Sequence, residues 1–257
     1  MREILIFFVA AIKQQAACRF NAGAEFALSL GYFAFQTIFF SQLFSFAGDL
    51  AGWNEHSIYT IFYSYMVIGL VCGTFFDSIE HFFRVLHEGQ VEPHLVVPAT
   101  LAAVMFLRWC NPVKLAIAAL LIGFGPLLPF ATVFADMRAP GFWLYWLVVL
   151  IAVLANIAFF LLLHLPTFFG MRVPPADYIH SEVQQMSILP AGLFPSHALS
   201  ALLLCVPVAF GASIAAHASQ SGADRPVLMF IAGAGLLIAG CVVSTRRALR
   251  QFDSLGG

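Results

Sequence analysis

Charge is what this sequence lacks most. Of its 257 residues only 10% are Asp, Glu, Lys or Arg, and 61% are hydrophobic. Soluble domains carry roughly 25% charged and 45–50% apolar residues. A chain this short cannot enclose so much apolar surface in one soluble core. The composition therefore excludes an ordinary soluble domain and selects a polytopic helical membrane protein. The apolar runs are continuous and do not alternate residue by residue, which argues against an outer-membrane barrel. A net charge of −1 points to neither nucleic acid nor an acidic ligand.

Lysine is scarcer still. There are two, Lys13 and Lys114, and neither follows Gly or precedes Ser or Thr. A phosphate-binding loop needs that arrangement, so this polypeptide does not hydrolyse ATP by that route. No HExxH, no GxSxG and no Ser/Lys pair suited to an intramembrane hydrolase is present. The five cysteines (Cys18, Cys72, Cys110, Cys205 and Cys241) are scattered without a CxxC pair and read as small apolar filler. Carboxylates within the apolar runs are almost absent. Glu25 stands at the edge of the first run, and Gln36, Gln42 and Asn156 are neutral. Ion-coupled carriers use mid-membrane carboxylates, so an ion-driven pump is the weaker reading.

Against that background one stretch stands out, 77–98, DSIEHFFRVLHEGQVEPHLVVP. It carries Asp77, Glu80, His81, Arg84, His87, Glu88, Glu92 and His94 between apolar runs of spanning length. Ionised groups this dense are expelled from hydrocarbon, so the stretch lies at or beyond one membrane face. Asp77/His81 and Glu80/Arg84 are each four apart, which extends the preceding helix into the polar stretch. Gly89 reads as its C-terminal stop, and Pro93 and Pro98 oppose a restart. His81 and His87 are six apart, which does not place both on one helical face for a metal, so a solvated loop is the reading there.

The rest of the chain falls into six expected spans at 25–46, 58–76, 112–135, 142–165, 188–216 and 226–243. Trp53, Trp143 and Trp146 mark interfacial positions. Residues 96–109 are apolar but short and read as an interfacial or half-inserted helix. Residues 168–185 form a second polar island. Pro190, Pro195 and Pro207 predict a broken or re-entrant path for the fifth span. The N-terminus resembles a signal peptide ending Ala16-Ala17-Cys18. Lys13, Gln14 and Gln15 spoil the cleavage pattern, so 1–24 reads as an interfacial helix. With the N-terminus inside, ten basic residues fall inside (Arg2, Lys13, Arg19, Arg84, Arg108, Lys114, Arg172, Arg246, Arg247 and Arg250) and two outside (Arg138 and Arg225). That asymmetry makes both termini and 77–98 cytosolic. Phe33, Phe40 and Phe44 belong to a crowd of aromatics on the first span. They are candidates to line an apolar translocation path, with packing or lipid contact as the alternative.

Four stretches, in order along the chain, carry a resemblance. Gly52-Trp53 precedes the second span. Glu88-Gly89-Gln90-Val91-Glu92 through Pro98 is similar to a G-x-L-D-x-L-L-x-R-P loop. Leu189-Pro190, Pro195 and Val206-Pro207-Val208-Ala209-Phe210 are similar to a P…(I/V)P-x-A-F pattern. The end, Arg246-Arg247-Ala248-Leu249-Arg250-Gln251-Phe252-Asp253-Ser254-Leu255-Gly256-Gly257, has basic residues, an aromatic, then Ser and small residues. Together these resemble the ABC-2-type permeases, the membrane subunits of ATP-driven exporters. Val91-Glu92 departs from the usual Leu-Asp, Val97 stands where Arg is usual, and Phe252 replaces Tyr.

The resemblance implies an all-α polytopic membrane protein in a bacterial inner membrane. It would have six transmembrane helices, an N-terminal interfacial helix and a cytosolic coupling loop after the second span. It would have no cofactor or catalytic site of its own. ATP and Mg would be bound by a partner ATP-binding subunit, in two copies, with a second permease or a second copy of this chain completing the pathway. Asp77, Glu80, His81, Arg84, His87, Glu88, Gly89 and Glu92 are then the expected ATPase-coupling residues. An ion-coupled secondary transporter and a non-transporting membrane assembly subunit stand as the alternatives.

Overall fold

The computed structural model describes residues 2–17, 19–47, 55–90, 100–125, 140–171 and 175–251. Among them there are helices and no strands. The α-helices are α1 (Arg2–Ala17), α2 (Arg19–Ala47), α3 (Glu55–His87), α4 (Leu101–Leu107), α5 (Pro112–Phe124), α6 (Pro140–His164), α7 (Ala176–Gln185), α8 (Ser196–Cys205), α9 (Gly211–Ser221) and α10 (Arg225–Gln251). Short 3₁₀ turns stand at Leu165–Phe169, Met186–Ile188, Ala191–Leu193 and Pro207–Phe210.

Four of these helices, α2, α3, α6 and α10, are long and apolar enough to cross a membrane. A fifth crossing arises if α4 and α5, bent by 71° at their junction, count as one broken span. The bend has a local cause. Asn111 caps α5 by accepting from the Val113 N–H at 3.1 Å, and Pro112 follows at the first helical position. A capped start with proline behind it is the sequence of a new helix, not of a continuing one.

The bundle is organised around α3. Its 33 residues extend about 50 Å, against a hydrocarbon core of about 30 Å. Two-thirds of its apolar window (67%) is buried, against none (0%) of α2's. Ile61, Phe62, Val67 and Cys72 pack with α6 and α9 in one apolar core, while Ile79, Phe82, Phe83 and Leu86 pack with α4, α6 and α10 in a second. α9 fits between α3 and α6 because five of its first six residues (Gly211, Ala212, Ser213, Ala215 and Ala216) are small, and all six are buried. α2 stands at the edge, touching the core through Phe33 and Phe40 and leaving Leu28, Phe35 and Ile38 outward.

The expected fifth span, 188–216, is divided at its prolines into two 3₁₀ turns, α8, a third turn at Pro207–Phe210 and the start of α9. The polar island before this stretch contains α7. α7 starts beside the polar end of α3 and runs inward along it. The His180 Nε2–H donates to Asn156 Oδ1 at 2.9 Å, two turns inside α6, and Gln184 lies against Gly69, two turns up α3 from Asp77. The chain then reaches the opposite end of the bundle. There Ser196 begins α8 beside His217 and Pro226, and Gln220 donates to Ser57 Oγ at 2.9 Å. α8 and α9 form a hairpin whose turn, Pro207–Phe210, is buried at mid-depth against Ala155 and Ala234. Residues 19–24, expected in the N-terminal interfacial helix, belong instead to α2. The second half of the expected third span, 126–135, lies outside the described residues, as do Trp53 and Arg138.

Candidate functional site

The polar end of α3 is the part of the bundle where charge accumulates. The helix stops at His87 through a Schellman turn. The Gln90 N–H donates to Val85 O at 3.0 Å, the Gly89 N–H donates to Leu86 O at 3.1 Å, and Gly89 has φ 70°. This left-handed residue is the stop the sequence announces, since a Cβ is disfavoured there.

Asp77 joins a cluster built by three helices. The Lys114 Nζ, from α5, lies 3.0 and 3.3 Å from the Asp77 carboxylate oxygens and 3.8 Å from Glu25 Oε1 on α2. The Asn111 amide donates to both Glu25 oxygens, at 2.9 and 3.0 Å, and approaches Asp77 Oδ2 at 3.4 Å. The backbone is tied in as well. The Asn111 N–H donates to Thr74 O at 2.9 Å, and the Trp109 N–H donates to Ser78 Oγ at 3.2 Å. The 71° corner between α4 and α5 is thus fastened to α3 by two of its own backbone N–H groups, one bonded to a main-chain carbonyl and one to a serine hydroxyl, and to α2 by charge.

The neighbouring face of α3 carries the other candidates. Glu80 pairs with Arg84, one turn on. The His81 ring packs on Trp109 with centroids 4.4 Å apart, and the Arg108 guanidinium stands 5.0 Å from the same indole. Across from Glu80 is Asp177, in the first turn of α7, near enough for the two carboxyl groups to share a proton. Burial, then the Glu80 hydrogen bond and charge, raise the Asp177 pKa to about 6. The folded state therefore holds this proton more tightly than the unfolded chain. The stability it confers is complete at acid pH and is lost as pH rises from the ordinary carboxylate value through about 6. Asp177→Asn is expected to raise the melting temperature at pH 7.5 and to change it little at pH 4.5. Thermal melts of the purified protein at the two pH values measure this, and an equal shift at both would refute the shared proton.

Behind this face His164 is fully buried, stacked between Phe83 and Phe160, with its Nδ1–H donating to Phe160 O at 2.9 Å. Among the described residues its Nε2 has no hydrogen-bond partner. Among the described residues no group of three or more His, Cys, Asp or Glu lies close enough to hold a metal ion.

The expected coupling residues thus divide. Asp77 turns toward α2 and α5, Glu80 toward α7 with the exposed Arg84 paired to it, and His81 toward α4, while His87, Glu88 and Gly89 form the exposed tip. Glu92 lies outside the described residues. Phe33 and Phe40 both lean on Phe62 of α3, at 5.8 and 6.0 Å between centroids, and Phe44 is on the same helix, α2. The partners that the sequence did not single out for this site are Glu25, Asn111, Lys114 and Asp177. Their signal was available: each is a polar residue at the rim of an apolar run.

Long apolar helices ending in one polar, charge-linked face, with no nucleophile or metal constellation gathered there among the described residues, define a multi-pass membrane component rather than a soluble domain. The sequence model of the ABC-2 family transporter protein matches residues 30–256, nearly the whole chain, so the protein belongs to the ABC-2 transporter family. Members of this family are permease components of ABC-type transporters and associate with an ATP-binding subunit. No curated protein and no solved structure matches the chain.

Proposed function

We propose that this chain is the permease subunit of an ATP-driven exporter, forming the translocation pathway with a second permease or a second copy of itself. Two copies of a separate subunit bind ATP and Mg. In this reading six segments cross a bacterial inner membrane: α2, α3, α5 with the residues after it, α6, the stretch from His180 to Leu193, and α10. The excess of basic residues on one side makes both termini and the polar end of α3 cytosolic.

One observation carries the coupling role. The corner between α4 and α5 is bonded to α3 at Thr74 and Ser78 and to Glu25 of α2 through Asn111. A push on the cytosolic tip of α3, or on α4, therefore moves three apolar helices together. Closure of the ATPase pair supplies that push, and the outward-leaning face of α2 is where a second permease completes the path.

Mild detergent extraction from the native host, followed by pulldown of the tagged chain and mass spectrometry, tests the assembly. A nucleotide-binding subunit in stoichiometric amount is the expected result. A chain recovered alone under several mild conditions would overturn the proposal.

A further inference from the structure

A groove of about 310 Å³ runs between α4, α6 and α10 at the same end of the bundle as the polar tip of α3. Its walls are apolar throughout their length, from Ile238 and Leu161 to Met105 and Ala102. Among the described residues the hydroxyl- or charge-bearing side chains lining it are Thr245 and Arg246, both close to the C-terminal end of α10. From Ile238 to Leu249 the groove follows twelve residues of α10, about 16 Å end to end, which is the depth of one leaflet's hydrocarbon. Arg246 is exposed at its mouth with Arg247 beside it, and among the described residues neither has a carboxylate within ion-pair distance. A slot one leaflet deep and dry along its walls, with an unpaired guanidinium at headgroup level, has the shape and charge of a phospholipid that bears a net negative charge.

We infer that this groove is a binding site for one anionic phospholipid of the adjoining leaflet. An acyl chain lies between α4 and α10, and the phosphate rests on Arg246. The site bridges α10 to α4, the helix that leads into the 71° corner, so its occupant supports that corner from the lipid side. It depends only on the membrane placement of the helices, not on the exporter reading.

The test is native mass spectrometry of the full chain released from nanodiscs made of equal parts phosphatidylglycerol and phosphatidylcholine. One retained phosphatidylglycerol per chain is expected in preference to phosphatidylcholine. Arg246→Gln is expected to lower that preference about fivefold, the effect of one basic residue at a membrane surface. Ala102→Phe adds bulk from an exposed position on α4 and is expected to expel both lipids. Both substitutions are at exposed positions, and an unchanged melting temperature confirms that each variant is folded. Absence of a retained lipid in the wild type, equal retention of the two headgroups, or wild-type behaviour in either variant would each overturn the inference. The readout requires no ATPase and no transport, so its failure is distinct from failure of the proposed function.

Discussion

Gly233→Ala is expected to lower the melting temperature of the purified protein by about 5–10 °C, while Gly235→Ala, two residues further along α10, leaves it unchanged or raises it slightly. A Cβ at Gly233 would stand 2.1 Å from Leu203 O and 2.9 Å from Leu204 Cα, both main-chain atoms of α8. Neither atom belongs to a side chain that can swing aside, so α8 and α10 must separate. Overpacking of this kind costs about 1–3 kcal/mol and more when backbone must move, which for a chain of this size is several degrees. A Cβ at Gly235 meets nothing within 4 Å, and alanine is the better helix former by about 1 kcal/mol. The pair separates steric closeness from helix propensity on one helix. Equal shifts in the two variants would show that the approach of α8 to α10 is not what Gly233 provides. In a bilayer, where small residues let helices come close enough for dispersion to hold them, such a contact is a principal source of association.

The second large effect is expected at Lys114. Lys114→Met leaves Glu25 and Asp77 joined only through the Asn111 amide, with no cation between them. Breaking a fully buried pair costs 3–5 kcal/mol. Here the three side chains are a quarter to a half exposed, so solvent screening reduces the loss to about 1–2 kcal/mol. Asp77→Asn in the Lys114→Met background removes one uncompensated charge and is expected to restore part of the loss. A double-mutant cycle on thermal melts gives the coupling directly, and a coupling energy of about 1 kcal/mol is expected. If Lys114→Met melts as the wild type does, the cluster does not need its cation. The substitution also reports on coupling, because the same cation ties α5 to α3 and α2. On the proposed function, a complex of Lys114→Met with a nucleotide-binding subunit is expected to assemble and yet to lose the coupling of ATP hydrolysis to transport.

The helix α3 was legible from the residues themselves. The spacing of Asp77 with His81 and of Glu80 with Arg84, followed by Gly89, carries the helix past the apolar run and ends it where it ends. The cluster at Asp77 was not legible in the same way. Its members come from three apolar runs, with Lys114 37 residues from Asp77 and Asn111 86 from Glu25. Each alone is an ordinary rim residue, and only packing reveals that they share one place. The path of α7 was not legible for a different reason. Hydropathy counts Asp177, His180, Gln184 and Gln185 as solvated, whereas His180 and Gln184 are buried against α6 and α3. One hint was present in Asn156, a solitary amide inside the most apolar run of the chain. Such a group needs a partner in hydrocarbon, and His180 is that partner.

The corner at Asn111 has a mechanical meaning. α4 has seven residues and α5 thirteen, so the two arms are about 10 and 20 Å long. They meet at 71° around a point pinned to Thr74 and Ser78. That is a bell crank with a short input arm and an output arm about twice as long. A sideways displacement of α4 by one ångström turns about the pin into a swing of roughly two at the far tip of α5. With α5 crossing the membrane as proposed, that swing of its far tip lies along the membrane plane, on the side away from the cytosolic face where the displacement enters.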